Sequence, residues 1–318
     1  MQHTLNEELA LSLKGRDFLA LADYAPEEVR YLIDLAIDIK RKQKAGEVYQ
    51  PLKGKTLGMV FEKSSTRTRV SFEVGIYQLG GQGLFLSRND LQIGRGEPIW
   101  DTGQVLSRYL DGIMIRTFAH KIVIDLARSS TVPVINGLTD AAHPCQALCD
   151  YQTILEHKGR LEGLKIAYIG DGNNMTHSLL MGAAKLGMTM SVASPEGYEA
   201  DPDIVAQTKA AAAATGSVIQ MCRDPREAIE DADIVYSDVW ASMGFEAEQK
   251  EREIAFASYQ VNEELVKYAK KDYLFMHCLP AHRGEEVSEG VIDGAHSIIY
   301  DQAENRLHAQ KAIMAAIM

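Results

Sequence analysis

Short apolar runs alternate with longer stretches of helical periodicity along almost the whole chain. After a first helical stretch at 26–41, runs of strand length fall at 56–61, 84–86, 113–115 and 132–135, separated by helix-period segments at 66–79, 98–109 and 122–128. Gly80-Gly81 closes the first of those three helices. The pattern restarts after a helix at 146–156 and the turn Lys158-Gly159, with strand runs at 165–169, 189–193, 217–221, 234–237 and 273–276 and a helix at 203–214. The segment 305–318 reads as a terminal helix. Such alternation predicts parallel sheets flanked by helices, and its restart predicts an α/β protein of two domains, 1–150 and 151–303. No short-period repeat or low-complexity tract interrupts the pattern.

A chain of 318 residues that is 46% hydrophobic and 24% charged can bury a core in each of two such domains. The formal charge of -11 argues against a general nucleic-acid binder, which needs a basic surface to displace phosphate counterions. Cys145, Cys149, Cys222 and Cys278 have neither a disulfide framework nor paired zinc spacing, so free thiols in a reducing compartment are expected. The first residues lack the basic start and apolar run of a secretory signal, and no stretch approaches the length of a membrane span. The expectation is a cytoplasmic protein that does not engage a membrane.

In parallel sheets ligands bind beyond the carboxyl ends of strands, so the loops there carry the chemistry. Ser64-Ser65-Thr66-Arg67-Thr68-Arg69 follows a strand run and opens a helix. Its hydroxyls, its unpaired amides and two arginines suit an anion, above all phosphate. A Ser/Thr helix cap would explain one hydroxyl but not so many donors together. His143-Pro144-Cys145-Gln146 also opens a helix, where proline fixes the backbone and holds an imidazole and an amide in set directions. A histidine can polarise a carbonyl and an amide can recognise a planar neutral group, with Arg116 adding charge at the same oxygen. Taken alone, the segment is equally a helix entry with an incidental histidine.

His277-Cys278-Leu279-Pro280 ends a strand run, and Cys278 there is either a thiolate or a buried thiol. Neighbours in a strand point to opposite faces, which disfavours a His277/Cys278 nucleophile pair. Gly170-Asp171-Gly172-Asn173-Asn174 lacks the third glycine of a dinucleotide fingerprint, and no acidic residue closes the next strand at Ala193-Ser194. Asp238-Val239-Trp240-Ala241-Ser242-Met243-Gly244 has the small residues of a loop that moves over a cleft. Asp238 suits an ammonium group or simply solvent.

Taken together, STRTR, LQIGRGEP, MIRTF, HPCQ, GDGNNMTHS, DVWASMG, HCLP and ENRLHAQKAI resemble the aspartate/ornithine transcarbamylase family over nearly the whole chain, in shared order and spacing. HCLP in place of HPLP, together with the SMG loop, is similar to the branch that acts on ornithine rather than aspartate.

The resemblance implies a carbamoyl phosphate domain at 1–150, to which a helix at 304–318 returns, and an ornithine domain at 151–303. It places Ser65, Thr66, Arg67 and Thr68 on the phosphate and Arg116, His143 and Gln146 on the carbamoyl group, with Cys278, Leu279 and Arg306 completing that pocket. Gln92 resembles the residue that enters a neighbouring subunit's site, which implies a homotrimer or an assembly of trimers. Asn174, Asp238, Ser242 and Met243 match the positions that hold the α-amino and α-carboxylate groups of ornithine. The implied products are citrulline and phosphate, in arginine metabolism, with no metal or organic cofactor required. Catalysis is expected of Cys278, Arg116, His143 and Asp238. Related acceptors, putrescine or N-acetylornithine, are the nearest alternatives. A non-catalytic binder of phosphorylated ligands, or a dehydrogenase built on the GDGNN turn, leaves the joint presence of HPCQ, SMG and HCLP unexplained.

Overall fold

The computed structural model describes residues 6–242 and 246–318. The chain forms two compact units, one ending at Glu156 and regaining Glu304–Met318, the other spanning His157–Ala303.

The first unit contains α1 (Glu7–Leu13), α2 (Pro26–Lys44), β1 (Thr56–Phe61), α3 (Thr66–Gln78), β2 (Gln82–Ser87), α4 (Ile99–Leu106), β3 (Gly112–Arg116), α5 (His120–Ser129), β4 (Val134–Leu138) and most of α6 (Pro144–Lys158). Its sheet runs β2-β1-β3-β4 and every pairing is parallel. Val60, Ile113, Ile115 and Val134 from the strands meet Val123 and Leu126 of α5 in its core. Strand order reverses between β1 and β3, and a cleft opens at such a reversal beyond the strand ends. The STRTR segment follows β1 and Arg116 ends β3, so both stand at that point.

The second unit contains β5 (Lys165–Ile169), α7 (Asn174–Lys185), β6 (Thr189–Ala193), α8 (Pro202–Thr215), β7 (Ile219–Cys222), α9 (Pro225–Ile229), β8 (Ile234–Ser237), α10 (Gln249–Phe256), β9 (Leu274–His277), α11 (Glu289–Ile292) and the start of α12 (Ile299–Ile317). Its parallel sheet runs β7-β6-β5-β8-β9. Ala167, Val235 and Phe275 pack with Phe256 and Trp240 in the core on one side. Here the order reverses between β5 and β8, whose carboxyl ends carry GDGNN and DVWAS.

Most boundaries shift from the pattern by one to three residues, and two shifts are instructive. The strand expected at 132–135 is Val134–Leu138, because buried Asn136 sits inside it and donates through Nδ2 to the carbonyl of Leu19 at 2.9 Å. The terminal helix begins at Ile299 rather than 305. All four cysteines are free thiols. Among the described residues no helix is long and apolar enough to cross a membrane.

Candidate active site

In the first unit the start of α3 is capped by Ser65, whose Oγ accepts from the Thr68 amide at 3.2 Å and donates to Thr68 Oγ1 at 3.1 Å. The cap turns Thr68 inward, where it is buried, and leaves Thr66 exposed and Arg67 half-buried at the helix start. Two buried guanidinium groups converge on Thr68 Oγ1: Arg116 Nη1 at 3.5 Å and Arg306 Nη2 at 3.4 Å. Arg69 does not join them, since it lies over the Phe85 ring at 3.8 Å and pairs with Glu73.

Pro144 starts α6 and brings His143 and Gln146 to the same place. Gln146 Oε1 accepts from Arg306 Nη1 at 2.5 Å while its Nε2 donates to Asp150 at 2.8 Å. Burial first, then the charges of Arg306, Arg116 and Arg67, hold His143 well below the ordinary imidazole range. A neutral imidazole keeps one N–H, which can donate to a carbonyl oxygen without adding a buried charge. Cys145 is turned away from this chemistry. Its Sγ donates to the carbonyl of Asn136 at 3.4 Å, and burial pushes the thiol up to about 12. Gln92 is exposed in a short 3-10 turn, Gln92–Arg95, apart from these bonds.

In the second unit the turn after β9 is set by His277, whose Nδ1 accepts from the Leu279 amide at 2.9 Å and whose Nε2 lies 3.2 Å from Glu286 Oε1, both side chains being fully buried. Leu279 takes φ 58, a left-handed conformation uncommon for a branched side chain. The bond to His277 holds that turn. Cys278 Sγ then donates to Asp238 Oδ1 at 3.1 Å. Asp238 Oδ2 accepts from Asn173 Nδ2 at 3.0 Å, and the same amide lies 3.3 Å from Ser242 Oγ. Asn173, absent from the residues expected above, is thus the one that joins Asp238 to Ser242. Asn174 is the half-buried first residue of α7. Met243 lies outside the described residues.

Arg252 of α10 braces the DVWAS loop. Its Nη1 donates to Asp171 Oδ2 and to the Trp240 carbonyl, each at 2.8 Å, and its Nε to Glu248 at 3.0 Å. Nothing in the residue pattern marks this arginine, since its partners lie in three separate segments. Donor atoms of Asp238, His277 and Cys278 come within 4.8 Å of one another, as do those of His282, Glu285 and Glu286. In the first group, His277 Nδ1 and the Cys278 thiol are already committed to the Leu279 amide and to Asp238.

Both units match known protein families. Residues 16–156 match the family described as "Aspartate/ornithine carbamoyltransferase, carbamoyl-P binding domain", and residues 162–317 match "Aspartate/ornithine carbamoyltransferase, Asp/Orn binding domain". The chain belongs to the aspartate/ornithine carbamoyltransferase family. It is 62% identical over 306 residues to the ornithine carbamoyltransferase of Oceanobacillus iheyensis, covering 96% of this chain and 95% of that one. The crystallised ornithine carbamoyltransferase of Pyrococcus furiosus superposes with a TM-score of 0.94 at 56% identity, over 96% of this chain and 98% of that one. The Giardia lamblia enzyme, at 33% identity, still gives 0.86 over 95% and 97% of the two chains.

Proposed function

We propose that the chain transfers the carbamoyl group of carbamoyl phosphate to the δ-amine of L-ornithine, giving L-citrulline and phosphate in arginine metabolism. One observation carries the reading: Arg116 and Arg306 converge on Thr68 Oγ1 beside a neutral His143 at the helix start that follows β1. This is a phosphate cradle joined to donors for a carbonyl oxygen.

The chemistry follows from these groups. The free amides of α3 and Arg67 hold the phosphate. Ser65 caps the helix and orients Thr68, and Thr66 adds a hydroxyl at its first residue. Gln146, fixed by Asp150, meets the planar carbamoyl group. The ornithine side chain arrives as an ammonium ion and has no lone pair until it loses a proton. Cys278 and Asp238, hydrogen-bonded to each other, are the groups that take up that proton. Attack forms a C–N bond and places negative charge on the carbamoyl oxygen, which Arg116, His143 and the Thr68 hydroxyl stabilise. The C–O bond to phosphate then breaks and the anion leaves onto Arg67 and the helix start. Leu279 and Cys278 shape the pocket through the turn that His277 holds. Asp238 also offers a carboxylate to the α-amino group; Asn174 and Ser242, with Met243 by sequence position alone, are assigned with it to the α-amino and α-carboxylate groups. Putrescine lacks that carboxylate, and N-acetylornithine lacks the α-ammonium.

The assembly we propose is a homotrimer, or trimers of this kind associated further. Val70, Val74 and Tyr77 stand exposed in one stripe of α3, next in sequence to exposed Leu84 and Phe85 on the sheet-edge strand β2. Apolar stripes of this sort favour a partner surface, and exposed Gln92 is available to a neighbour. Four free thiols favour a cytoplasmic location. Turnover of ornithine, aspartate, putrescine and N-acetylornithine with carbamoyl phosphate tests the substrate. Ornithine should be used fastest, and preference for any of the others overturns the assignment.

A further inference from the structure

A cavity of about 430 Å³ opens in the second unit beyond the ends of β6 and β7, away from the β5/β8 reversal that carries Asp238. Val192 and Met221 of the two strands line it with Val205 and Ala206 of α8. Polar groups stand among these walls too: Ser194, Lys209 and the ion pair of Arg223 with Glu199. Ser194 is 2% exposed, and its hydroxyl has no hydrogen-bond partner among the described residues. Burying a hydroxyl without a partner is unfavourable, so this one is a donor poised for an acceptor. Lys209, one helical turn beyond Val205, lines the cavity and has no ion pair among the described residues. Arg223 at the rim is by contrast tied to Glu199.

The cavity is a fixed feature of the fold. The one Tyr259 O–H donates to the Arg223 carbonyl at 2.7 Å and is shared with the Ser194 carbonyl at 3.2 Å, bridging the two strand ends that frame it. The neighbouring Gly172 amide donates to the Tyr198 carbonyl at 2.8 Å, and a Cβ on Gly172 would meet the Ala200 nitrogen at 2.0 Å. The segment 198–200 therefore fills the place where a pyrophosphate would lie, which excludes a dinucleotide and leaves a smaller ligand.

We propose that this cavity is a second small-molecule site, taking a compact apolar body that bears one carboxylate. The apolar walls hold the body, while Lys209 and Ser194 meet the charged end. One unpaired ammonium, close in sequence to the carboxylates of Asp201 and Asp203 at the start of α8, suits a monoanion and disfavours a dianion. The site also communicates with the ornithine half-site. The wall that supplies Glu199 and Ala200 is bonded to the GDGNN turn through Gly172 and, by the Asp201 amide, to His177 Nε2 at 3.1 Å. That turn carries Asn173, so occupancy changes the affinity for ornithine, and ornithine changes the affinity for the carboxylate by the same factor.

The test uses the full-length enzyme with 4-methylpentanoate as probe, 4-methylpentanamide as its uncharged counterpart, and saturating ornithine so that the α-carboxylate half-site is occupied. Saturation-transfer NMR should detect the acid. Lys209→Gln should weaken it about tenfold, the amide should bind weaker by a similar factor, and Ala206→Trp should abolish the signal. Both variants should keep wild-type carbamoyl transfer, and the acid should shift the ornithine KM of the wild type but not of Ala206→Trp. No signal from the wild type, a signal that survives Ala206→Trp, or equal binding of acid and amide overturns the site. A KM that does not move with the acid bound overturns the coupling.

Discussion

Gln146 donates its amide to Asp150 at 2.8 Å, so its oxygen, and not its nitrogen, is the end that meets Arg306. An unanchored amide could turn over and present two N–H groups to two guanidinium charges. Asp150 is fully buried and forbids that. In the proposed reaction it positions the group assigned to the carbamoyl moiety, without touching substrate itself.

Asp150→Ala should therefore raise the KM for carbamoyl phosphate by about ten- to a hundredfold and leave the KM for ornithine near its wild-type value. Steady-state kinetics with each substrate varied separates the two. Equal damage to both would assign Asp150 a purely structural role.

Cys278 and Asp238 should act as a unit, because the thiol donates to the carboxylate at 3.1 Å. Removing the thiol in Cys278→Ala should lower kcat by about a hundredfold with little change in the KM for carbamoyl phosphate. Asp238→Asn combined with Cys278→Ala should cost far less than the product of the single losses, as a double-mutant cycle would show.

Arg252 is expected to matter for ornithine although it lies outside the substrate contacts. Arg252→Gln leaves Asp171 buried without its cation and releases the Trp240 carbonyl, which should destabilise the protein by about 3 kcal/mol in denaturant unfolding. The KM for ornithine should rise more than the KM for carbamoyl phosphate. Arg252→Lys should not restore it, since an ammonium cannot span Asp171, Trp240 and Glu248 in one plane.

His308, buried on α12, is held down to about 4 chiefly by desolvation, against the pull of Glu304. A depressed folded value means that the unfolded chain binds the proton first. The stability contributed by neutral His308 is thus present above the ordinary value of 6.5 and is lost as pH falls from there toward 4. Unfolding at about pH 7 and about pH 5 should show a loss of up to about 2 kcal/mol, part of which His308→Gln removes.

The alternation of short apolar runs and helical periods located the strands well, because parallel strands buried on both faces read as continuous apolar runs. β1, β5, β6 and β8 begin and end where those runs do. The carboxyl end of β4 departs from its apolar run for the complementary reason: Asn136 is polar yet lies inside the strand, where the Leu19 carbonyl pairs it. The cradle was legible in part because a helix start following a strand is a local signal: Ser65 caps the one in STRTR, and Pro144 marks the one in HPCQ. Arg69 shows the limit of that reading, since the Phe85 ring that captures it comes from another strand. Two adjacent asparagines could not be told apart by spacing, and only the distances to Asp238 and Ser242 single out Asn173. For Arg252 only the i,i+4 pair with Glu248 is local; its bonds to Asp171 and the Trp240 carbonyl join segments that spacing does not connect.

A crystal structure with a phosphonoacetyl group joined to ornithine through the δ-nitrogen tests the whole account most directly. The phosphonate should lie on the α3 amides and Arg67, the carbonyl oxygen on Arg116, His143 and Thr68, and the α-amino group on Asp238. A phosphonate bound away from the start of α3, or an ornithine moiety that leaves Asp238 untouched, would contradict it.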